Sequence, residues 1–145
     1  MGIETPEERV LIALIRAAWA ASVQSNVIVR NAGLSPSQYN VLRILRHAGG
    51  EGLSRKGIGE RMVTPDPDLT RILSGLTRMR AVSTRRSSVD RRSRVSVITE
   101  QGRTLLDGLD DDVRSAAIAS LRGLKPAQLE RLEGLLEAVG PEADS

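Results

Sequence analysis

Apolar residues near the start of the chain recur at spacings of three and four. Val10, Leu11, Leu14, Ile15, Ala18, Trp19 and Val23, with Ser22 among them, fall on one side of a helix. The helix is predicted from about Thr5 to Asn31, with Thr5 as its N-cap, Pro6 at the first helical position and acids in the first turn. It would be about 40 Å long at 1.5 Å per residue. That exceeds what a small lobe needs to cover itself, so part of it is expected to pack against a second chain.

Gly33 interrupts the pattern, and Ser35-Pro36-Ser37-Gln38 restarts it as a cap followed by Tyr39, Leu42 and Leu45 on one face. This second helix should end near Gly49-Gly50. A third is expected from Ser54 to about Met62, with Ile58 and Met62 inward, although Gly57 and Gly59 weaken it. Thr64-Pro65-Asp66-Pro67-Asp68 makes a turn into a fourth helix, whose buried face is Leu69, Ile72, Leu73, Leu76 and Met79. Its opposite face is a polar strip of Asp68, Thr70, Arg71, Ser74, Gly75 and Arg78, with Gly75 permitting close approach. Two short helices in this order make a helix-turn-helix, whose second helix enters the major groove of DNA.

Beyond Met79 the period changes to two. Val95 and Val97 alternate with Arg94 and Ser96, and Ala81-Val82 supplies an apolar partner, which predicts a β-hairpin around a loop from roughly Arg86 to Arg92. Helical spacing then returns in Leu105, Leu106, Leu109, Val113, Ala117 and Leu121, from Glu100 to about Leu121. After Lys125-Pro126 it continues in Leu129, Leu132, Leu135, Leu136 and Val139.

Charge sharpens this outline. The 145 residues carry a net charge of only +3, yet residues 78–99 hold seven arginines against Asp90. From Glu100 onward, ten acids face five bases. Positive charge confined to one hairpin suits a polyanion. With no cysteine and one histidine, His47, the chain has no thiol chemistry and few routes to a zinc site or general base. No metal, cofactor or catalytic role is expected, and a phosphate-binding glycine motif is lacking. The longest apolar run, Val10 to Ile15, is too short to cross a bilayer, and the first residues include Glu4, Glu7 and Glu8. These features predict a cytoplasmic protein. Almost without aromatic residues, the core must be built from aliphatic side chains.

The chain resembles the MarR family of bacterial transcription regulators. The likeness lies in Leu34-Ser35-Pro36-Ser37-Gln38-Tyr39-Asn40-Val41-Leu42 on the second helix and in Leu69-Thr70-Arg71-Ile72-Leu73-Ser74-Gly75-Leu76 on the fourth. Most specific is Asp90-Arg91-Arg92-Ser93-Arg94-Val95-Ser96-Val97-Ile98-Thr99-Glu100-Gln101-Gly102, which matches the family's wing signature. The resemblance implies one mainly α domain over 1–145. Within it, 34–99 forms a winged helix-turn-helix, and 5–31 with 100–140 forms a helical dimerisation region. It further implies a cytoplasmic, nucleoid-associated homodimer that acts as a repressor on a near-palindromic operator in double-stranded DNA.

On that reading Asp68, Thr70, Arg71, Ser74 and Arg78 belong to the recognition helix. Arg85, Arg86, Asp90, Arg91, Arg92 and Arg94 form the wing, and Ser54, Arg55 and Lys56 meet phosphate. An arginine paired with Asp90 would be positioned by it. Asp66 and Asp68 either cap the helix or accept from cytosine, with capping favoured. A small aromatic or phenolic effector is implied by the resemblance, with Arg16, Trp19, Tyr39 and Arg43 as candidates to line its crevice. Arg80 departs from the family, which usually has glycine there, so the turn into the wing is expected to be reshaped or strained. The alternative is a winged-helix module that binds an acidic protein surface without reading DNA sequence.

Overall fold

The computed structural model describes residues 5–140, so Glu4 and both ends of the 1–145 domain lie outside the described residues. The elements are α1 (Pro6–Asn31), α2 (Pro36–Ala48), α3 (Arg55–Gly59), α4 (Leu69–Arg78), β1 (Val82–Arg86), β2 (Arg94–Ile98), α5 (Glu100–Leu121) and α6 (Pro126–Glu137). A short 3₁₀ turn, Gly49–Glu51, follows α2.

The helix starts are set by local chemistry. Thr5 Oγ1 accepts from the Glu8 amide at 3.3 Å while the Glu8 carboxylate accepts from the Thr5 amide at 2.7 Å. Ser35 and Gln38 repeat this reciprocal cap at α2, at 3.1 and 2.9 Å. Helix α3 is shorter than expected, because Gly57 and Gly59 do not sustain it. Past Gly59 the chain tightens into i→i+3 bonds, Arg61 to Ile58 and Met62 to Gly59. Ile58 is nonetheless fully buried, and Met62 packs against the core.

One aliphatic core holds the lobe together: Leu34, Val41, Leu42 and Leu45 before Ile58, Leu76 and Ile98, closed by Leu106 and Leu109 of α5. β1 and β2 pair antiparallel, with Val82 opposite Ile98 and Arg86 opposite Arg94. β2 has a neighbour on its other edge as well: Leu53 and Ser96 exchange backbone bonds at 3.0 and 2.8 Å. Ser96 is buried, on the same face of the hairpin as Val82 and Ile98.

Helix α1 lies along α5. It contains an 18-residue stretch apolar and long enough by composition to cross a membrane, although its uninterrupted run Val10–Ile15 is not. Alanines and serines between the larger side chains make the difference. Its outer face is bare: Val10, Leu11, Ile15 and Trp19 are exposed, Trp19 by 71 %.

Candidate nucleic-acid interface

Helix α4 buries Leu69, Ile72 and Leu76 and thereby turns Thr70, Arg71, Ser74 and Arg78 outward. Gly75 does not join them. It faces α2, where an added Cβ would lie 2.8 Å from the Gln38 amide nitrogen. Thr70, Ser74, Thr77 and Arg78 line one wall of a groove whose other wall is Thr84, Arg94 and Ser96 of the hairpin, with Arg55 at its end. A neighbouring depression joins Ser54, Arg55 and Lys56 to Pro67, Leu69 and Thr70. The fold thus gathers recognition-helix, wing and α3 candidates along one basic surface.

Within it, polar groups are already arranged. Arg55 donates to the Thr70 hydroxyl at 2.7 Å, and the Ser54 hydroxyl caps α3 by accepting from Gly57 N–H at 3.1 Å. Lys56 lies 3.9 Å from Glu60. Asp66 is fully engaged, accepting from Ser37 at 3.0 Å and from the Asp68 amide at 2.9 Å. It therefore holds the turn before α4. Asp68 occupies the N-cap position without a side-chain cap bond, contrary to the favoured expectation, and instead lies 3.9 Å from Arg71. Arg71 itself is 88 % exposed.

Strand alternation divides the wing arginines. Val82, Thr84 and Arg86 share a face with Ile98, Ser96 and Arg94, buried at the base and cationic at the tip. Arg86 and Arg94 stand directly opposite each other, a like-charge pair that disfavours the isolated hairpin. Arg85 points to the other face, where it donates to the carbonyls of Gly50 and Glu51. These bonds brace the wing against the 3₁₀ turn, a contact that grouping Arg85 with the other wing arginines did not anticipate. Among the described residues Asp90 holds no guanidinium. Its carboxylate accepts from the Arg92 amide at 2.9 Å and its carbonyl from the Ser93 hydroxyl, so it shapes the loop. The Arg86, Arg91, Arg92 and Arg94 guanidinium groups have no hydrogen-bonding or ionic partner among the described residues.

Arg80 adopts the left-handed conformation, φ 59°, alone among non-glycine described residues. The bonds around it, Ala81 N–H to Leu76 and Arg80 N–H to Thr77, close α4 as a glycine would. The turn keeps its shape and Arg80 bears the strain.

This arrangement of basic recognition helix and wing has known counterparts. The model of the MarR family matches residues 32–93, from the end of α1 to the wing loop. Over that stretch the chain is similar to the MarR family. Over 135 residues it is 26 % identical to the HTH-type transcriptional regulator MhqR of Bacillus subtilis, covering 93 % of this chain and 92 % of that one. BpsR of Bordetella bronchiseptica superposes with a TM-score of 0.83 at 20 % identity, over 99 % of this chain and 100 % of the other. CouR of Rhodococcus jostii RHA1 gives 0.83 and 20 %, over 99 % of each chain. These structures share the winged-helix fold of the described residues.

One side-chain cluster was not foreseen. Arg46 of α2 forks onto Asp110 of α5 at 2.8 and 2.9 Å and reaches Asp107 at 3.2 Å. Its hydrogen bond holds the Asp110 carboxyl below the usual carboxylate range against the opposing effect of burial, aided by the charges of Arg46, Arg114 and Arg43. Of the four crevice candidates, only Tyr39 and Arg43 meet, with the guanidinium 5.8 Å from the ring centroid. Arg16 and Trp19 lie exposed on α1. His47 is exposed near the end of α2, its Nδ1 2.9 Å from the Arg43 carbonyl.

Proposed function

We propose that this chain is a MarR-family regulator that binds double-stranded DNA as a homodimer on a near-palindromic operator in the cytoplasm and represses by occupying it. The observation that carries the reading is the continuity of the α4–wing groove with four unpartnered arginines, two of them facing each other at Arg86 and Arg94. Phosphates are the natural counterions for such a surface. Two copies related by a twofold axis would set their α4 helices in successive major grooves.

Contacts to backbone and base should separate by position. Arg91 and Arg92, on the wing loop, supply affinity; Asp68, Thr70, Arg71 and Ser74, on α4, supply sequence choice. The test is selection of bound genomic fragments by the purified protein, followed by titration of the recovered duplex. Arg92→Ala should weaken binding on every duplex and reduce the salt slope by about one. Arg71→Ala should change which duplexes are preferred, with a loss of about 1–3 kcal/mol at the position it reads. Retardation of no fragment at low salt would sink the reading. Equal losses on all sites for Arg71→Ala would remove its reading role.

Regulation by a small aromatic effector is part of the proposal. The BpsR structure concerns regulation of DNA binding by 6-hydroxynicotinic acid, and CouR was crystallised with p-coumaroyl-CoA. Release of the selected duplex on titration with aromatic acids would support it, and duplex binding unmoved across such a series would oppose it.

A further inference from the structure

Five ion pairs join described residues, and three of them are local, spanning three or four positions of one helix. The other two both belong to Arg46, and both cross from α2 to α5. Arg46 and Asp110 are only 23 % and 31 % exposed, and the guanidinium meets the carboxylate with both of its terminal nitrogens. Such a fork is directional, unlike the apolar contacts beside it, where Leu42 and Leu45 share a core with Leu106 and Leu109. Apolar packing tolerates small rotations of α2 on α5. A planar fork with an extra acceptor at Asp107 resists them.

Helix α2 also leads straight into the wing. Its C-terminus passes into the 3₁₀ turn Gly49–Glu51, whose Gly50 and Glu51 carbonyls accept from Arg85 of β1. Leu53, two residues on, pairs with Ser96 of β2. Asp110, Arg46, the 3₁₀ turn and Arg85 therefore form one connected brace from the long C-terminal helix to the wing.

Resting on the DNA-binding reading above, we propose that Arg46 is a positioning residue that sets the angle between the winged lobe and α5, and so the half-site spacing that a dimer accepts. It touches no DNA in this scheme. Arg85 completes the brace at the wing.

The test uses the full-length chain and the duplex selected by the wild-type protein, remade with the distance between half-sites changed by one and two base pairs each way. Wild type should show a sharp optimum. Arg46→Ala, and Asp110→Asn as the variant that keeps side-chain shape, should bind the optimal duplex about tenfold more weakly while losing little on the altered spacings, flattening the profile. A uniform loss at every spacing, or an unchanged profile, overturns the proposal.

A second measurement needs no DNA. The chain has no cysteine, so Ser83→Cys with Ser115→Cys places spin labels on β1 and α5 alone. Co-folded with excess unlabelled protein, the pair reports the distance within one chain. That distribution should be narrow, and broader with Arg46→Ala or Asp110→Asn. An unbroadened distribution overturns the brace whatever the DNA result. Failure of wild type to bind any duplex, with broadening intact, overturns only the DNA reading.

Discussion

The winged lobe and the long helices treat apolar side chains in opposite ways. In the lobe, Leu34, Val41, Leu42, Leu45, Ile58 and Leu76 are fully buried, and the large apolar residues left exposed are Val63 in a turn and Val89 in the wing loop. Along α1, α5 and α6, Val10, Leu11, Ile15, Trp19, Ile118, Leu135 and Leu136 all face outward. Charge differs in the same sense: residues 78–99 are strongly basic, while the sequence from Glu100 onward is acidic. The lobe completes its core within one chain and reserves its surface for polar contacts. The helices leave apolar side chains uncovered, and the proposed homodimer would bury them.

The largest expected effect comes from denying the helices that burial. Ile15→Glu together with Leu136→Glu places charge on two outward apolar positions and leaves the core of the lobe untouched. Sedimentation should show a monomer, and affinity for a two-half-site duplex should fall by at least about 100-fold as the second contact ceases to be intramolecular. Amide protection around Leu42, Leu45 and Leu76 should persist. A dimer that survives both substitutions would break the contrast between the two regions.

The contrast sharpens at two glycines. Gly102, in the first turn of α5, has no room for a Cβ, which would overlap the Ala81 carbonyl and approach Ile98 at 2.8 Å. Gly134, on α6, has nothing within 4 Å of that position. Gly102→Ala should therefore cost about 1–3 kcal/mol through overpacking. Gly134→Ala should stabilise by about 0.4–1 kcal/mol through a stiffer unfolded chain and better helix propensity. Urea unfolding checks both. A neutral Gly102→Ala would show that the junction between wing and α5 is looser than its geometry indicates.

What could be read from the sequence followed how local its cause was. The reciprocal caps at Thr5 and Ser35 and the buried stripe Leu69, Ile72 and Leu76 depend on neighbours within a turn or two, so spacing alone reveals them. The hairpin was legible from its valines, but Arg85 was grouped with Arg86 because composition registers charge and not the face to which a strand turns it. Arg46 with Asp110, and Leu53 with Ser96, join residues 64 and 43 positions apart. No local periodicity announces such pairs. Asp90 was expected to position an arginine side chain, but its carboxylate accepts from the Arg92 backbone amide, which residue identity does not disclose.

The smallest expected effect lies at the hinge between the two regions, where α4 turns into the wing. Arg80 holds φ 59° while its carbonyl accepts from the Thr99 hydroxyl at 2.6 Å, so the turn is fixed from both sides and cannot relax the strain. A non-glycine residue in the left-handed region costs about 1–2 kcal/mol. Glycine removes that cost but makes the unfolded chain more flexible by a smaller amount. Arg80→Gly should thus raise stability by about 1 kcal/mol, seen as a higher urea midpoint with an unchanged slope. The same variant sharpens the electrostatic side of the comparison, because it removes one of the seven arginines of residues 78–99. A stabilised protein with undiminished DNA affinity would assign Arg80 to neither surface. A stabilised protein that binds more weakly at every sequence would make Arg80 a phosphate contact, with backbone strain accepted in exchange for its charge.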